Sequence, residues 1–437
     1  MATLVLAAAS PLAAQDSTKT IDQGVRVGIT YTPGVRPGLV VIPGPGLDSL
    51  RAIVQRDLDF SDRFEMLVLP PTAGLPSDAF RPGLAPPPLN YQLYRTLGAS
   101  YAVELAAGMG GTLIRLHDVG AGKVLHEATR PFPDQADPGF RLGAHRLSDE
   151  IVRWITGTPG IASSRLALVI DRRVWRIDSD GGDITPLTGA GEEALSPAWS
   201  PDGRKLAFTL FAGGRGSIVL LDLSGGPRAT VPSTNSYLNL TPMFSPDGHT
   251  LAFARSSEEG TDIYTADVVQ MCCVQRLTVG RYADNLNPTY APDGRRLAFV
   301  STRAGLPQIY AMASDGTDQE LLAPFDYGVT GSSNAPEWSP DGARVVFHRE
   351  VDRSPQLFLL DVAGGRVRQL TSAGRNEDPT WAPDGRHLAF VSDRSGRRQL
   401  WVIDVESGRI RQLNTSGNAR LPAWSRRLAG ASLTTNP

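Results

Sequence analysis

The 437-residue chain has little of what several classes of protein need. Its two cysteines, Cys272 and Cys273, are adjacent, and we expect them to stay unpaired with each other because such a bond closes a strained ring. A disulfide framework is therefore excluded. The 43 basic and 45 acidic residues leave a net charge of −2, without the concentrated positive field that nucleic acids and anionic membranes attract. After residue 20, no apolar run approaches the roughly 18 residues of a membrane span. We expect no nucleic-acid partner and no membrane-spanning segment.

Familiar catalytic motifs are also missing. The six histidines are scattered, none lies in an HExxH pattern or beside a candidate nucleophile, and no Gly-x-Ser-x-Gly sequence occurs. The sequence therefore predicts no catalytic residue, no metal site and no cofactor. His249, His348 and His387 lie in or next to the turns of the repeats described below, and we expect them at the surface.

One acidic segment has the spacing of a calcium-binding loop. It runs from Asp178 to Asp183 and carries three carboxylates, the oxygen ligands that Ca²⁺ prefers. A similar segment, from Ser314 to Asp318, occupies the same place in another repeat. This recurrence favours an ordinary turn and leaves calcium as the less favoured interpretation.

The sequence is rich in one repeated phrase, which consists of proline, any residue, an aromatic residue, and Ser or Ala. Five of the six copies continue as Pro-Asp-Gly, and successive aromatic residues lie 45, 46, 48, 43 and 43 residues apart. This spacing is the length of a four-stranded β-propeller blade. The copies are Pro197–Gly203, Pro242–Gly248, Pro288–Gly294, Pro336–Gly342, Pro379–Gly385 and the incomplete Pro422–Ser425.

The phrase predicts a hairpin. Pro201 suits the first central position of a type I turn, Asp202 bonds the local backbone, and Gly203 takes the conformation that closes the turn. Trp199 before the turn and Phe208 after it lie on strand faces that we expect to meet the neighbouring blade. Each repeat therefore supplies the first two strands of a blade and, further on, a third and a short fourth.

The two ends of the repeat region complement each other. The copy at Pro422 has no strands after it, whereas the segments Leu166–Ile170, Val174–Ile177 and Ile184–Leu187 form three strands that lack a first one. A blade made from both ends would leave no exposed sheet edge. The sequence therefore predicts six blades, with the last one closed by both chain ends.

The region before the propeller alternates strands and helices. A helix is predicted to begin at Asp48 as its cap, and a later helix is predicted to stop at Gly157–Gly160. Strands are predicted at Val25–Ile29, Gly38–Ile42, Glu65–Leu69, Tyr101–Leu105, Leu113–His117 and Lys123–Ala128. We therefore predict an α/β N-terminal domain.

The chain begins with a short apolar run that ends in small residues near Ala14. It is typical of a secretory signal peptide, although the basic start of such a peptide is missing, and a disordered Ala-rich tail is the alternative. The predicted organisation is a signal peptide at 1–14, an α/β domain at 15–160 and a six-bladed propeller at 161–437.

Polar residues recur just before the repeated proline in all six copies. Because these segments surround one mouth of the predicted channel, they predict a polar docking surface, although ordinary turn composition explains any single member. The residues are Glu193, Asn239, Asp284, Asn285, Asn287, Asn334, Asn376, Glu377, Asp378 and Asn418.

These motifs resemble the TolB family, the periplasmic component of the Tol-Pal system. The resemblance is carried by the repeats, by Leu421–Ser425 at the end, and by the bridge Asp149–Gly157 that leads to Arg165–Val169. It implies an anticodon-binding-like fold for the α/β domain and a periplasmic, non-enzymatic adaptor. It also implies that the mouth binds the peptidoglycan-associated lipoprotein Pal, with Leu238, Thr241 and Leu286 among the contacts.

The resemblance further implies that a segment within Gln15–Thr30 binds TolA, with a role in outer-membrane invagination during division and in envelope integrity. Other outer-membrane lipoproteins or porins are further candidate partners. Two alternatives stay open from the residues alone. One is a secreted lactonase-like propeller that binds a metal or small ligand through the Asn and Asp residues of the mouth, and the other, less favoured, is the propeller fragment of a peptidase.

Overall fold

The structure is a computed structural model that describes residues 36–428 except 43, 70–88, 109, 233–237, 326–330, 414 and 416. The predicted signal peptide, the strand at Val25–Ile29 and the segment Gln15–Thr30 lie outside the described residues. The N-terminal part contains strands β1 (Gly38–Ile42), β2 (Glu65–Met66), β3 (Tyr101–Gly108), β4 (Gly111–Asp118) and β5 (Lys123–Arg130), and helices α1 (Asp48–Phe60), α2 (Tyr91–Thr96) and α3 (Phe140–Thr156).

The five N-terminal strands form one mixed sheet in the order β2-β1-β3-β4-β5, with β1 parallel to both of its neighbours. Leu50 and Leu58 of α1 and Ile151 of α3 are buried in one core with the sheet. This arrangement confirms the predicted α/β class. Among the described residues, no helix is long and apolar enough to cross a membrane.

The helix ends follow the prediction in part. Gly157 ends α3 in a left-handed conformation with φ 79° and donates its N–H to Arg153 O, as a C-terminal glycine should. Asp48, however, is the first residue of α1 and not its cap, and Leu47 at the cap position makes no capping bond. Helix α2 was not predicted, because its six residues are too few for a periodic pattern.

The remaining strands form six antiparallel four-stranded blades, as predicted. The first three are blade 1 with β9 (Glu193–Trp199), β10 (Lys205–Ala212), β11 (Arg215–Asp222) and β12 (Ala229–Thr230), blade 2 with β13 (Asn239–Phe244), β14 (Thr250–Ser257), β15 (Gly260–Asp267) and β16 (Cys272–Arg276), and blade 3 with β17 (Asn285–Tyr290), β18 (Arg296–Ser301), β19 (Gln308–Ala313) and β20 (Glu320–Leu321).

The other three blades complete the ring. They are blade 4 with β21 (Ser333–Trp338), β22 (Arg344–Val351), β23 (Ser354–Asp361) and β24 (Val367–Gln369), blade 5 with β25 (Asn376–Trp381), β26 (His387–Ser392), β27 (Gln399–Asp404) and β28 (Ile410–Leu413), and the closing blade with β29 (Ala419–Trp424) beside β6 (Arg165–Ile170), β7 (Arg173–Asp178) and β8 (Thr185–Pro186).

The repeated turns have the predicted geometry. In the first one, Gly203 has φ 70° and donates its N–H to Ser200 O. The carboxylate of Asp202 accepts hydrogen bonds from Ser200 Oγ at 2.6 Å and from the N–H of Arg204 at 3.0 Å. The aspartate and the glycine therefore both stabilise the turn.

The closing blade joins both ends of the repeat region. Strand β29 pairs antiparallel with β6, and Trp424 lies opposite Leu166. Beyond the strand, Leu428 donates its N–H to Ser163 O, and Trp424 Nε1 donates to Ser164 Oγ at 2.8 Å. The predicted closure is confirmed.

Large apolar side chains fill the seams between blades. Trp199 and Phe208 of blade 1 are in one buried cluster with Val169 of the closing blade. The second strands of the five complete repeats each contribute one fully buried phenylalanine, namely Phe208, Phe253, Phe299, Phe347 and Phe390. Blade-to-blade packing therefore follows the repeat seen in the sequence.

The two cysteines are bonded to each other, so the expectation that they stay unpaired was wrong. A disulfide joins Cys272 and Cys273 at the start of β16. No residue separates them, so the bond encloses no chain segment and provides no framework. The exclusion of a disulfide scaffold therefore holds.

The ring has two distinct faces. Five of the six first strands run from the residues before the repeated proline toward a Ser/Ala-Pro-Asp-Gly turn, and the sixth, β29, ends on the same face. We call the face where these strands begin the mouth, and the face that carries the turns the turn face. The N-terminal part contacts residues at or next to the turn-face ends of strands, namely Asp178, Asp180, Arg386, His387 and Arg411. The mouth therefore lies on the opposite side.

Candidate functional site

The mouth is shaped by one left-handed residue in each blade. The residue directly before each repeated proline has φ between 47° and 52°, and the first strand shifts register at this point. Such bulges bend a strand and change the direction of its side chains. A cavity of about 180 Å³ lies inside the ring of these residues, which are Ser196, Thr241, Asn287, Ala335, Asp378 and Leu421.

Side chains beside the prolines tie neighbouring blades together. Thr241 Oγ1 accepts the N–H of Asn287 at 3.2 Å, and Asp378 Oδ2 accepts the N–H of Leu421 at 3.3 Å. Two residues after Ala335 in the first strand of blade 4, Glu337 Oε1 accepts the N–H of Trp381 at 3.1 Å. These N–H groups lie on the free edges of first strands, and an unpaired buried N–H is costly. These hydrogen bonds therefore link neighbouring blades, and the side chains that form them also line the cavity.

Three asparagines predicted to line the docking surface are turned inward. Asn239 is 2% exposed, and Asn285 and Asn376 are fully buried. Asn239 Nδ2 donates to Gly216 O at 3.2 Å, and Asn285 Nδ2 donates to Thr261 O at 3.1 Å. They support the loops of the mouth from within, so the prediction that their side chains face a partner is corrected.

The other predicted residues lie at the mouth with different exposure. Asp284 is exposed, whereas Glu377 is half-buried and pairs with Arg375 and Arg398, each at 3.2 Å. Leu286 packs on the cores on both sides of its blade and keeps part of its surface exposed. The remaining half-buried members are Leu238, Thr241, Asn287, Asn334 and Asp378.

The mouth has an apolar half and a polar half. Two residues before the repeated proline, blades 1 to 3 carry leucine, whereas blades 4 and 5 and the closing blade carry polar or charged residues. All six side chains are at least partly exposed, and in ring order they are Leu195, Leu240, Leu286, Asn334, Glu377 and Arg420. A partner of mixed polarity could therefore dock in one preferred orientation.

Several residues of the mouth were missed by sequence reasoning. Glu337 follows a repeated proline, and burial raises its pKa to about 7. Burial also raises the pKa of Asp378. Val279 is 76% exposed and Tyr282 is 89% exposed, in the loop that leads into blade 3. Sequence reasoning relied on positions that recur in every blade, and the residue types at these positions differ from blade to blade.

On the turn face, a buried charge cluster joins the N-terminal part to the closing blade. His145 Nδ1 of α3 lies 2.8 Å from Asp57 Oδ2 of α1, and its Nε2 lies 3.5 Å from Asp178 Oδ2. Burial alone would lower the pKa of His145, but the bonds to Asp178 and Asp57 raise it to about 10. Arg141 and Arg56 also contact Asp180, at 2.8 Å and 3.2 Å. The imidazole is therefore charged at neutral pH.

A second cluster joins the end of α1 to blade 5. Asp62 accepts from His387 Nε2 at 3.2 Å, from Arg411 at 2.9 Å and from Arg409 at 2.8 Å. Burial opposes the charge of His387, but Asp384, 2.7 Å from Nδ1, and Asp62 raise its pKa. His387 is fully buried, so the predicted surface position was wrong. The interface that covers it could not be read from the repeat.

These clusters also account for the calcium-like segment. Among the described residues, Asp57, His145 and Asp180 form one group close enough to hold a metal ion, and Asp62, His387 and Asp404 form another. Arginine side chains already contact carboxylates in both groups, as shown by Arg141 to Asp180 and Arg386 to Asp404. A metal cation would have to enter beside these positive charges. The donor sets suit an interface of ion pairs better than a metal centre.

Comparisons with known proteins agree with this architecture. The PD40 family, described as the TolB beta propeller domain, matches residues 152–327 and 324–433. Proteins named Tol-Pal system protein TolB from Anaeromyxobacter sp. (strain K) and from Alcanivorax borkumensis are 35% identical over 284 residues and 31% identical over 238 residues. These alignments cover 60% and 50% of this chain, and the chain spans only 61% and 52% of the length of those relatives.

A solved structure matches both parts of the molecule. The crystal structure of TolB from Acinetobacter baumannii superimposes with a TM-score of 0.76 at 25% identity and covers 91% of this chain and 98% of that one. The blade count, the closure and the α/β part are thus those of a known architecture. With the family match extending over more than half of the sequence, the chain belongs to the TolB β-propeller domain family.

Proposed function

We propose that the protein is a non-enzymatic periplasmic adaptor of the Tol-Pal system. The observation that carries the proposal is the structural match to a TolB over nearly the whole of both chains. An adaptor needs a rigid body with surfaces left open for partners, and no catalytic chemistry. The proposed role is to support outer-membrane invagination during division and the integrity of the envelope.

The mouth is the proposed binding surface for the peptidoglycan-associated lipoprotein Pal. It lies opposite the face that the N-terminal part covers, and its partly exposed residues offer both apolar and charged contacts. Of the predicted contacts, we retain Leu238, Thr241, Asp284, Leu286, Asn287, Asn334, Glu377 and Asp378. Asn239 and Asn285 act indirectly, because they are buried and hold the loops in place.

The N-terminal segment within Gln15–Thr30 is the proposed TolA-binding element. We also propose a signal peptide at 1–14, a domain boundary near residue 160, and other outer-membrane lipoproteins or porins as further partners. Deleting residues 15–30 is expected to abolish capture of TolA by the purified protein and to leave the propeller folded. Undiminished capture of TolA after this deletion would exclude the segment.

The rival function is a lactonase-like propeller with a metal or small ligand in the channel. Such a site needs several oxygen ligands that converge on one point. Among the described residues that line the cavity at the mouth, Glu337 and Asp378 are the carboxylates, and each accepts a backbone N–H of the next blade. The adaptor function therefore has the better support.

The test is a binding titration of the purified protein with the soluble domain of the same organism's Pal. We expect saturable one-to-one binding, weakened by the charge reversal Asp284→Lys at the mouth. The matched control is Asp315→Lys, which reverses an exposed aspartate on the turn face. Absence of binding, or equal weakening by both variants, would refute the proposal. Stoichiometric zinc or calcium in the purified protein would favour the rival function.

A further inference from the structure

The loop that leads into blade 3 presents apolar side chains to solvent. We call residues 279–284 the Tyr282 loop. Tyr282 is 89% exposed, Val279 is 76% exposed, and Leu306 on the neighbouring hairpin of blade 3 is 49% exposed. In the part of the mouth that the structure describes, these are the most exposed large apolar residues. Exposed apolar residues grouped in this way are typical of interaction sites.

The loop differs from its counterparts because of one residue. In blades 4 and 5, Gln356 Nε2 and Gln399 Nε2 donate to the carbonyl groups of Gly374 and Gly417, at 2.7 Å and 3.0 Å. Blade 2 has Asp262 at this place, and a carboxylate has no N–H to donate. It accepts the N–H of Gly280 at 3.1 Å instead. In this loop a backbone N–H therefore faces the third strand, whereas in blades 4 and 5 a backbone carbonyl does.

The loop is also longer than the segment that leads into blade 5. The threonine that bonds to the aspartate or glutamine is Thr278 in blade 2 and Thr371 in blade 4. From Thr278 to the buried Asn285 the chain advances seven residues, whereas from Thr371 to Asn376 it advances five. Tyr282 lies within this segment, and its side chain is 89% exposed.

Hydrogen bonds on both sides hold the loop in place. Tyr282 donates its N–H to Glu259 O at 2.7 Å, and Thr261 donates its N–H to Ala283 O at 3.2 Å. On the other side, Asp284 donates its N–H to Thr302 Oγ1 at 2.8 Å. Tyr282 has φ 60°, a left-handed conformation that a bulky residue rarely adopts. The hydrogen bonds of the loop therefore keep Tyr282 in an unfavourable backbone conformation with its side chain exposed.

We propose that the Tyr282 loop is the principal anchor for the protein that docks on the mouth, and that this partner is the folded domain of Pal. This identity rests on the proposed function. An exposed aromatic side chain suits a partner with its own apolar depression, whereas small ligands bind in concave sites. Tyrosine combines a large apolar ring with a hydroxyl that can bond at the edge of such a depression. Rigid aromatic residues of this kind carry much of the affinity at protein interfaces.

The test is the affinity of the purified full-length protein for soluble Pal, measured by calorimetry. We expect Tyr282→Ala to weaken binding about tenfold or more and Val279→Ser to weaken it by a few-fold. The matched control is Val269→Ser, since Val269 is 65% exposed on the turn face and should leave affinity unchanged. If Pal binds but Tyr282→Ala has the wild-type affinity, the anchor is refuted and the proposed function stands. If Pal does not bind the wild type, the proposed function fails first, and the anchor fails with it.

A second variant separates binding from folding. Glycine favours the left-handed backbone at position 282, so Tyr282→Gly should unfold at the same temperature as the wild type or higher, while binding is lost as in Tyr282→Ala. A lower unfolding temperature would mean that the side chain stabilises the fold, which contradicts the proposal. A Tyr282-dependent dimer, seen by light scattering, would also overturn it in favour of a second copy of this chain as the occupant.

Discussion

The two faces of the propeller differ in what their side chains contact. On the turn face, Asp57 and Asp62 of the N-terminal part enter buried clusters of charge, and Phe60 packs on the core of the closing blade. At the mouth, side chains bond the strand edges of the next blade, and leucine, valine and tyrosine remain exposed. The turn face is covered by the N-terminal part of the same chain, whereas the mouth is the face that the proposed function assigns to a partner. The contrast makes predictions that can be checked separately on each face.

The largest expected effect comes from removing the centre of the second cluster. Asp62→Ala leaves His387, Arg409 and Arg411 without their shared carboxylate. Breaking a buried ion pair from one side costs about 3–5 kcal/mol, so the free energy of unfolding should fall by that amount. Urea denaturation measures it. The control is Asp48→Ala at the exposed start of the same helix, which should cost less than about 1 kcal/mol. Equal losses would show that the cluster does not stabilise the closed face.

The first cluster predicts a dependence on alkaline pH. The folded-state pKa of His145 is about 10, above the ordinary value of 6.5, so its contribution is complete below pH 6.5 and disappears as pH rises through 10. The free energy of unfolding should therefore fall by about 1.4 kcal/mol per pH unit between pH 7 and 9.5. His145→Gln removes the titrating group, and the variant should be less stable at pH 7 with a flatter profile. Parallel profiles for the wild type and the variant would contradict this account.

At the mouth, Glu337 also predicts a loss of stability as pH rises, but in a lower pH range than His145. Its folded-state pKa is raised to about 7, so the protonated form is favoured, and stability falls as pH rises from about 4.5 through 7. Glu337→Gln keeps an oxygen for the N–H of Trp381 and removes the charge. The variant should be about 1–3 kcal/mol more stable than the wild type at pH 8 and nearly equal at pH 4.5. Thermal unfolding at both pH values measures this, and a loss of stability at pH 8 would show that the charge is needed.

The smallest effect is expected at a single tie between blades. Thr241→Val removes the acceptor for the N–H of Asn287 and keeps the shape of the side chain. The expected cost is about 1 kcal/mol in the free energy of unfolding. The control is Thr230→Val, in an outer strand of blade 1. No difference between these variants would mean that water replaces the tie.

The sequence supported a good prediction of the propeller, because each blade repeats the same local chemistry. Pro201, Asp202 and Gly203 dictate a turn by themselves, and the aromatic residue of the phrase packs in an apolar cluster in every copy. The closure followed from counting strands. The site was harder, because it depends on where the repeats differ. Asn285 looked like a surface amide, but the side chain is buried on Thr261 and Asp262.

Contacts between distant segments could not be predicted from the pattern. His387 lies beside a repeated turn, which is exposed when a blade is considered alone, but Asp62 from 325 residues earlier covers it. The exposure of Tyr282 depends on Asp262, where three other blades carry glutamine, and on Glu259 in the adjacent hairpin. Both are consequences of packing between elements and leave no periodic trace in the sequence.

The central claim, that the open mouth and not the turn face receives the partner, is tested most directly by hydrogen exchange of the protein with and without soluble Pal. The account predicts slower exchange in residues 279–287 and in the other segments before the repeated prolines, and unchanged exchange in the Ser/Ala-Pro-Asp-Gly turns. Protection of those turns, with an unchanged mouth in a saturated complex, would contradict it.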